Sequence, residues 1–421
     1  MKVLVIGGGG REHALAWALK KSARVSEVVC MPGNAGIAEL ARCVPVAVTD
    51  LEGTLALVER EQPGLVVIGP EVPLALGVVD LLEKRGVRVF GPTADAAQLE
   101  SSKAFAKEFM RRFDIPTAAY AVCRSVADVE HELKDFASQV VVKADGLAAG
   151  KGVVMCESHR ETLEAAGQMF DGVVTGEPIG QLVIEETLVG PEISFFAVCD
   201  GTHAATLGVA QDHKRVGEGD TGPNTGGMGA YSTDSLVTPD MIEWLRVNVA
   251  QKVVDGMRSE GMPFVGVLFC GMMLTPDGPK VLEFNTRFGD PETQALMLRL
   301  ETDLLTVFEA AIDGRIDSLP IRMKRGASVC VIAASGGYPG SYTSGKAITG
   351  VPVPSSDEVV FHSGTAIKDG QLVTAGGRVL AVTAAAATLE DALHKAYGAL
   401  AGIRFEGMQY RRDIAWRALK N

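Results

Sequence analysis

The chain has 421 residues, 47% hydrophobic and 22% charged, with 40 Lys plus Arg against 52 Asp plus Glu, a formal charge of −12. That length exceeds one ordinary core and predicts two to four domains, while the composition excludes a disordered chain and fits a folded enzyme. The acidic balance argues against broad binding to nucleic acid or to an anionic membrane, so small molecules are the expected partners. Seven scattered cysteines form no C-x-x-C pair. They indicate neither a zinc site nor a disulfide framework, and a reducing, cytoplasmic setting is expected. The apolar start Met1–Ile6 ends at Gly7, with Arg11 and Glu12 close behind, so it does not read as a signal peptide.

In chain order, residues 2–6 read as a strand, Gly7–Gly10 as a flexible turn, and Arg11 onward as a helix with Ala14, Leu15, Ala18 and Leu19 on one side. The N-terminus of such a helix can hold a phosphate. Further strands are expected at Val28–Cys30, Val44–Val48, Leu65–Ile68 and Val87–Phe90, with a helical stretch over Leu74–Lys84. This alternation predicts a doubly wound parallel sheet with ligands at the carboxyl ends of its strands. A nicotinamide-dinucleotide domain is the rival reading. Against it, G-x-G-x-x-G fails, because counting from Gly7 or Gly8 puts Glu12 or His13 where the third glycine belongs. The second strand also ends at Met31-Pro32-Gly33-Asn34, without the acidic residue that grips a ribose.

Pro92-Thr93 closes this region, and a helix over Ala94–Phe113 carries Ser101-Ser102-Lys103 before a break at Ile115-Pro116. In Val140–Val154 a strand delivers Lys143, a loop of small residues (Gly146, Gly150, Lys151, Gly152) turns, and a second strand leaves. Glycines let backbone N–H groups approach a polyphosphate, and lysine supplies a point charge. The loop is not a Walker A motif: one residue is missing between Gly146 and Gly150, no Ser or Thr follows Lys151, and a strand stands where a helix should. Gln181–Leu188 is another strand, followed by Gly190-Pro191-Glu192. Residues 211–231 are glycine-rich and aperiodic, so a long functional loop is expected there. Asp212, Lys214 and Arg215 suit anionic substrates, and Thr225-Gly226-Gly227-Met228-Gly229 suits a backbone cradle. Met241–Met257 reads as a helix.

A hairpin follows, with apolar Phe264–Phe269, a turn at Pro276-Asp277-Gly278, and a second strand ending in Glu283-Phe284-Asn285. Strand alternation puts Glu283 and Asn285 on one face and Phe284 on the other. A carboxylate beside a carboxamide oxygen suits a hard cation such as magnesium. A strand end with two solvated polar residues is the plain alternative. Arg287, Gly289 and an Asp290-Pro291 helix start shift the balance toward a site for a charged substrate. After helical residues to about Asp313, Gly326 opens a last module with strands near Ala327–Ala333, Val359–Phe361 and Val379–Thr383 and a helix over Leu389–Ala401. Its Gly336-Gly337-Tyr338-Pro339-Gly340 turn reads as structural.

Arg287-Phe288-Gly289-Asp290-Pro291-Glu292-Thr293-Gln294 resembles the signature of the glycinamide ribonucleotide synthetase family, within the ATP-grasp superfamily, and the likeness extends over the whole chain. It implies an α/β and α+β multidomain protein: a substrate-binding doubly wound domain over 1–102, an ATP-grasp domain over 103–325 with a mobile clamp at about 117–190, and an α+β cap over 326–421. The implied activity is ATP-dependent ligation of glycine to 5-phosphoribosylamine in purine biosynthesis, with Mg2+ or Mn2+, in a monomer or homodimer. The resemblance assigns ATP to Lys103, Lys143, the loop Gly146–Gly152, Glu185, Glu186, Leu188 and Glu192. It assigns the other substrates to Gly9, Arg11, Glu12, Asn34, Glu71, Asp212, Lys214, Thr225, Gly226, Gly227 and Arg287. Arg287, Lys143 and Asp290 are the implied catalytic groups, and Glu283 and Asn285 the metal ligands. Many ATP-grasp enzymes carry an acidic ligand on the first hairpin strand as well. Leu268–Met272 offers none, which leaves Glu283 as the candidate to serve two ions.

Overall fold

The computed structural model describes residues 1–147 and 152–419. The first sheet is all-parallel, in the order β3-β2-β1-β4-β5, from β1 (Lys2–Gly7), β2 (Glu27–Pro32), β3 (Arg42–Cys43), β4 (Leu65–Ile68) and β5 (Val89–Phe90). Its strands are unbroken apolar runs because both faces are covered: Val3–Ile6 and Leu65–Val67 have no exposure. β1 lies between β2 and β4, so the order reverses there and opens a crevice at the carboxyl ends of β1 and β4. The strand expected at Val44–Val48 is not formed. Pairing with β2 stops at Cys43, next to Pro45, which has no N–H to give, and Val44, Val46 and Val48 pack against the domain core instead. Likewise Leu74–Lys84 is two short helices, Glu71–Ala75 and Val78–Glu83, parted at Gly77 with φ +80°.

The helix expected over Ala94–Phe113 breaks at Ser102, whose backbone is extended and whose hydroxyl accepts from the Phe105 N–H at 3.1 Å. The helix Lys103–Arg112 therefore begins at Lys103. A four-stranded antiparallel sheet follows, order β6-β9-β7-β8, from β6 (Tyr120–Cys123), β7 (Val140–Ala144), β8 (Val153–Cys156) and β9 (Leu182–Glu186). It has a small core of its own around Val140, Val142, Ala166, Met169 and Ile184.

The remaining strands build the largest sheet. β10 (Glu192–Asp200) and β11 (Ala204–Asp212) pair antiparallel, and a small hairpin of β12 (Arg215–Gly217) and β13 (Thr221–Asn224) follows. Then come β14 (Gly229–Thr233), β15 (Val265–Thr275), β16 (Gly278–Asn285), β17 (Ala327–Ala334) and β18 (Glu358–His362). A hairpin of β19 (Thr365–Lys368) and β20 (Gln371–Thr374) precedes β21 (Arg378–Ala386). The sheet order is β16-β15-β10-β11-β14-β17-β21-β18. Residues 211–231 are thus mostly paired rather than a free loop. Strands of three and four residues rich in Gly and Pro carry no alternation to read.

The C-terminal strands extend the central sheet directly, since β17 pairs with β14 along its length. One apolar cluster runs through Leu15 and Leu19 of the first helix, Phe196 of β10, Leu296 and Leu298, Phe308 and Phe361. Each such side chain contributes roughly 1.5–3 kcal/mol when buried, so this cluster binds the three regions into one body. The helix Glu292–Arg299 sits at its centre with every residue buried, against the helix Gly10–Lys20 and strands β11, β14, β17 and β21. Among the described residues no helix is long and apolar enough to cross a membrane.

Candidate active site

A cleft of about 780 Å³ opens between the small antiparallel sheet, the exposed face of β15–β16 and the crevice of the parallel sheet. At its small-sheet end, β9 turns Glu185 inward. The carboxylate, 2% exposed, sits 2.8 Å from the Lys107 ammonium and 3.0 Å from that of Lys143. Lys143 also donates to the Leu282 carbonyl at 3.0 Å, tying β7 to β16, and Lys107 donates to Thr117 Oγ1 at 2.7 Å. Burial pulls Lys107 down to about 8 against the attraction of Glu185. Glu186 points the other way, accepting from the Ala119 N–H at 3.0 Å and from Lys280 at 2.8 Å. Its own N–H is taken by the Ala119 carbonyl.

Lys103, Gly146, Gly152, Leu188 and Glu192 line the same cleft. Gly150 and Lys151 lie outside the described residues. Asp145, at the exit of β7, accepts from Ser102 Oγ (3.0 Å), the Ala104 N–H (3.1 Å) and Gln181 Nε2 (2.7 Å). This carboxylate fastens the start of the glycine loop to the helix that begins with Lys103.

Glu283 and Asn285 both face the cleft from the C-terminal end of β16. Among the described residues the Glu283 carboxylate has no hydrogen bond or ion pair. Burial opposes its charge, but Lys214, Lys103, Lys143 and Arg287 outweigh that and hold its pKa below the usual range. Asn285 Oδ1 accepts from Arg287 Nη2 at 3.1 Å. A carboxylate and a carboxamide oxygen on one strand face suit an oxygen-seeking divalent cation, and the unpartnered carboxylate leaves room for one. Opposite Glu283 across the ladder is Gly271, so β15 adds no ligand. Further carboxylates in the cleft wall come from elsewhere: Asp212 at the end of β11, and Glu292, whose Oε1 accepts from Ser194 Oγ at 3.1 Å.

The other end of the cleft is a mesh of opposite charges. Arg287 reaches Glu100 Oε1 at 2.7 Å and Glu71 Oε2 at 3.3 Å. Lys214 pairs with Glu192. Burial works against the Lys214 ammonium, yet Glu192, Asp212 and Glu283 raise its pKa well above the ordinary value. Asp212 goes the opposite way, pushed up to about 8 by burial among Glu292, Glu192 and Glu283 despite the pull of Lys214. Asp290 accepts from the Arg11 N–H (3.2 Å) and Gln294 Nε2 (2.8 Å).

The sequence-expected groups divide into two sets. Arg11, Glu71, Asp212, Lys214, Thr225, Gly226, Arg287 and Asp290 come together on the cleft wall. Gly9, Glu12 and Asn34 stand behind it. Glu12 accepts from the Gly9 N–H and from Arg11 Nε, both at 2.6 Å, while Asn34 Nδ2 donates to the Gly8 and His362 carbonyls and Oδ1 accepts from the Ile37 N–H. Gly227, with φ +109°, lies against Pro291, where a Cβ would fall 2.5 Å from the ring. These groups shape the turns that stand behind the cleft wall. Sequence reasoning missed Glu100, Lys107, Tyr338 and Arg378, all on the cleft wall. A repeat of Lys at i and i+4 (Lys103, Lys107) is the only signal that hinted at any of them; the others depend on chain segments far apart.

Family models for phosphoribosylglycinamide synthetase match in sequence: its N domain over residues 1–100, its ATP-grasp (A) domain over 101–293 and its C domain over 328–417. The phosphoribosylamine–glycine ligase of Xanthomonas campestris pv. campestris is 50% identical, over 100% of this chain and 98% of that protein. That of Ralstonia nicotianae is 47% identical over the full length of both. Among solved structures, phosphoribosylamine–glycine ligase from Thermotoga maritima superposes with a TM-score of 0.88 at 36% identity, covering 99% of this chain and 100% of that one. The biotin carboxylase domain of Hydrogenobacter thermophilus 2-oxoglutarate carboxylase, crystallised with MgADP and bicarbonate, shares the fold with a TM-score of 0.76 at 19% identity, covering 97% and 91%.

Proposed function

The chain belongs to the phosphoribosylglycinamide synthetase family, and from that premise we propose that it joins glycine to 5-phosphoribosylamine, converting ATP to ADP and phosphate. The observation that carries this reading is the Glu283 carboxylate, unpartnered among the described residues, beside Asn285 and facing Lys103, Lys143, Lys214 and Arg287 in one cleft. Such an arrangement suits transfer of a phosphoryl group, where catalysis is positioning plus electrostatic stabilisation.

Glu283 and Asn285 would hold Mg2+ or Mn2+, which when bound neutralises charge on the transferring phosphates. Lys103 and Lys143 hold the terminal phosphates from the small-sheet side, and Leu188 and Glu192 face the base and ribose. A glycine carboxylate oxygen attacks the terminal phosphorus, the bond to ADP breaks, and an acyl phosphate forms. Arg287, held by Glu71 and Glu100, stabilises the negative charge on that carboxyl. The neutral amine nitrogen of phosphoribosylamine then attacks the carbonyl carbon. The carbon–oxygen bond to phosphate breaks, and phosphate departs with one former glycine oxygen, taking up the proton that the nitrogen releases. The amine is already nucleophilic, so no general base is required.

A product assay with ATP, glycine and phosphoribosylamine tests the reading. ADP should appear only when both other substrates are present, and glycine should not be replaceable by formate or bicarbonate at equal concentration. With heavy oxygen in the glycine carboxylate, one label should pass into inorganic phosphate; label in AMP would mean adenylation and reject the acyl-phosphate route.

A further inference from the structure

The C-terminal module reaches the cleft through two side chains that close on the backbone of a single residue, Gly226. Tyr338, in the turn after β17, accepts the Gly226 N–H on its hydroxyl at 3.0 Å. Arg378, the first residue of β21, donates from Nη1 to the Gly226 carbonyl at 2.5 Å and to the Asp290 carbonyl at 2.6 Å, and lies 3.4 Å from Asp290 Oδ1. The register between β17 and β21 slips between Ala333 and Ala334, which sets Arg378 opposite Ala334. The backbone N–H and C=O of Gly226 are therefore both satisfied by a module more than a hundred residues away in sequence.

Missing Cβ atoms are what let these parts meet. A Cβ on Gly377 would lie 2.3 Å from Tyr338 Cδ2, one on Gly226 3.0 Å from Arg378 Cζ, and one on Gly227 2.5 Å from Pro291 Cδ. Arg378 is thus a bridge between two segments: the Thr225–Gly227 backbone and the turn that carries Asp290. Among the described residues no hydrogen bond or ion pair joins either segment to the Lys107–Glu185–Lys143 group at the far end of the cleft.

We infer that Arg378 is a positioning residue for the acceptor end of the cleft, locking the Thr225–Gly227 backbone against the Asp290 turn and so fixing the seat of the phosphorylated amine. The inference rests on the ligase reading. A planar guanidinium reaches two carbonyls and a carboxylate together, which a lysine ammonium on a flexible stem does not reproduce. Misplacing a substrate seat by about 1 Å costs up to roughly 100-fold in rate.

The test is steady-state kinetics of Arg378→Ala, Arg378→Lys and Tyr338→Phe, with phosphoribosylamine generated in place from ribose 5-phosphate and ammonia. Arg378→Ala should raise KM for phosphoribosylamine by roughly 10–100-fold, with KM for ATP within about twofold of the parent. Arg378→Lys should recover part of the loss, and Tyr338→Phe should show a smaller rise with the same selectivity. Should Arg378→Ala fail to fold, as judged by thermal melting, the Lys and Phe variants carry the same comparison. Equal rises in both KM values, or no change in either, would overturn the inference. Absence of turnover by the parent protein with all three substrates would instead reject the ligase reading, whatever Arg378 does.

Discussion

The two ends of the cleft handle charge in opposite ways. At the small-sheet end a single carboxylate, Glu185, lies between two lysines, all three buried and fixed by neighbouring strands and one helix. At the other end Asp212, Glu192, Glu283 and Glu292 surround Lys214 and Arg287, all of them from the central sheet, its loops or the helix that follows β16. The first end is closed electrostatically before any ligand arrives. The second carries carboxylate in excess, and Glu283 has no partner among the described residues. Loss of Glu185 should therefore register first as stability, and loss of Glu283 as activity.

Glu283→Gln should show the largest effect, and chiefly on activity. Losing the charge proposed to hold the divalent cation is expected to lower kcat by roughly 10³-fold or more, since that cation's neutralisation of phosphoryl charge is worth several kcal/mol in the transition state. Melting temperature should fall only slightly, because among the described residues no hydrogen bond or ion pair of Glu283 is broken and only its attraction to the surrounding cations is lost. A folded variant with parental kcat would remove the open end from the chemistry.

Glu185→Gln should do the reverse. Breaking a buried pair strands a charge in a low-dielectric site and costs about 3–5 kcal/mol. Lys107, already shifted to about 8, would give up its proton more readily and soften part of that loss. Denaturant unfolding should show a lower midpoint. If stability were unchanged while turnover fell, the contrast between the two ends would fail.

The smallest effect is expected from Asp212→Asn, read against pH. The Asp212 carboxyl is raised from 3.8 to about 8 in the fold, so the folded state keeps a proton that the unfolded chain has released. Its contribution is full below pH 3.8 and is lost as pH rises toward 8. Because the group reaches cleft water, the loss between pH 5 and 8 should be only roughly 1–2 kcal/mol, below the full linkage slope. The Asn variant should lack that decline, which a series of unfolding curves at fixed ionic strength would reveal.

The local groups of the site were legible where one short stretch supplies them. Glu283, Asn285, Arg287 and Asp290 sit within eight residues, and the period of a strand alone puts the first two on one face. Lys143 ahead of a glycine loop was readable for the same reason. Asn34 and Glu12 were harder: their residue types fit a ligand as well as a turn, and only the fold shows that they bond to the backbone of Gly9, Gly8 and His362. Tyr338 looked like part of a turn, and it is, but the turn also delivers its hydroxyl to Gly226.

The sequence by itself determined the parallel sheet, the shared face of Glu283 and Asn285, and Lys143 at the end of its strand, because each follows from backbone periodicity or local steric freedom, which act over a few residues. Tertiary structure alone decided which charges neutralise one another. Coulomb attraction and desolvation depend on distance through space. Glu185 meets Lys107 and Lys143 across 78 and 42 positions, and Arg378 meets Gly226 across 152. No local pattern encodes those pairings. They exist because a continuous eight-stranded sheet and one shared apolar cluster bring the segments to a common cleft.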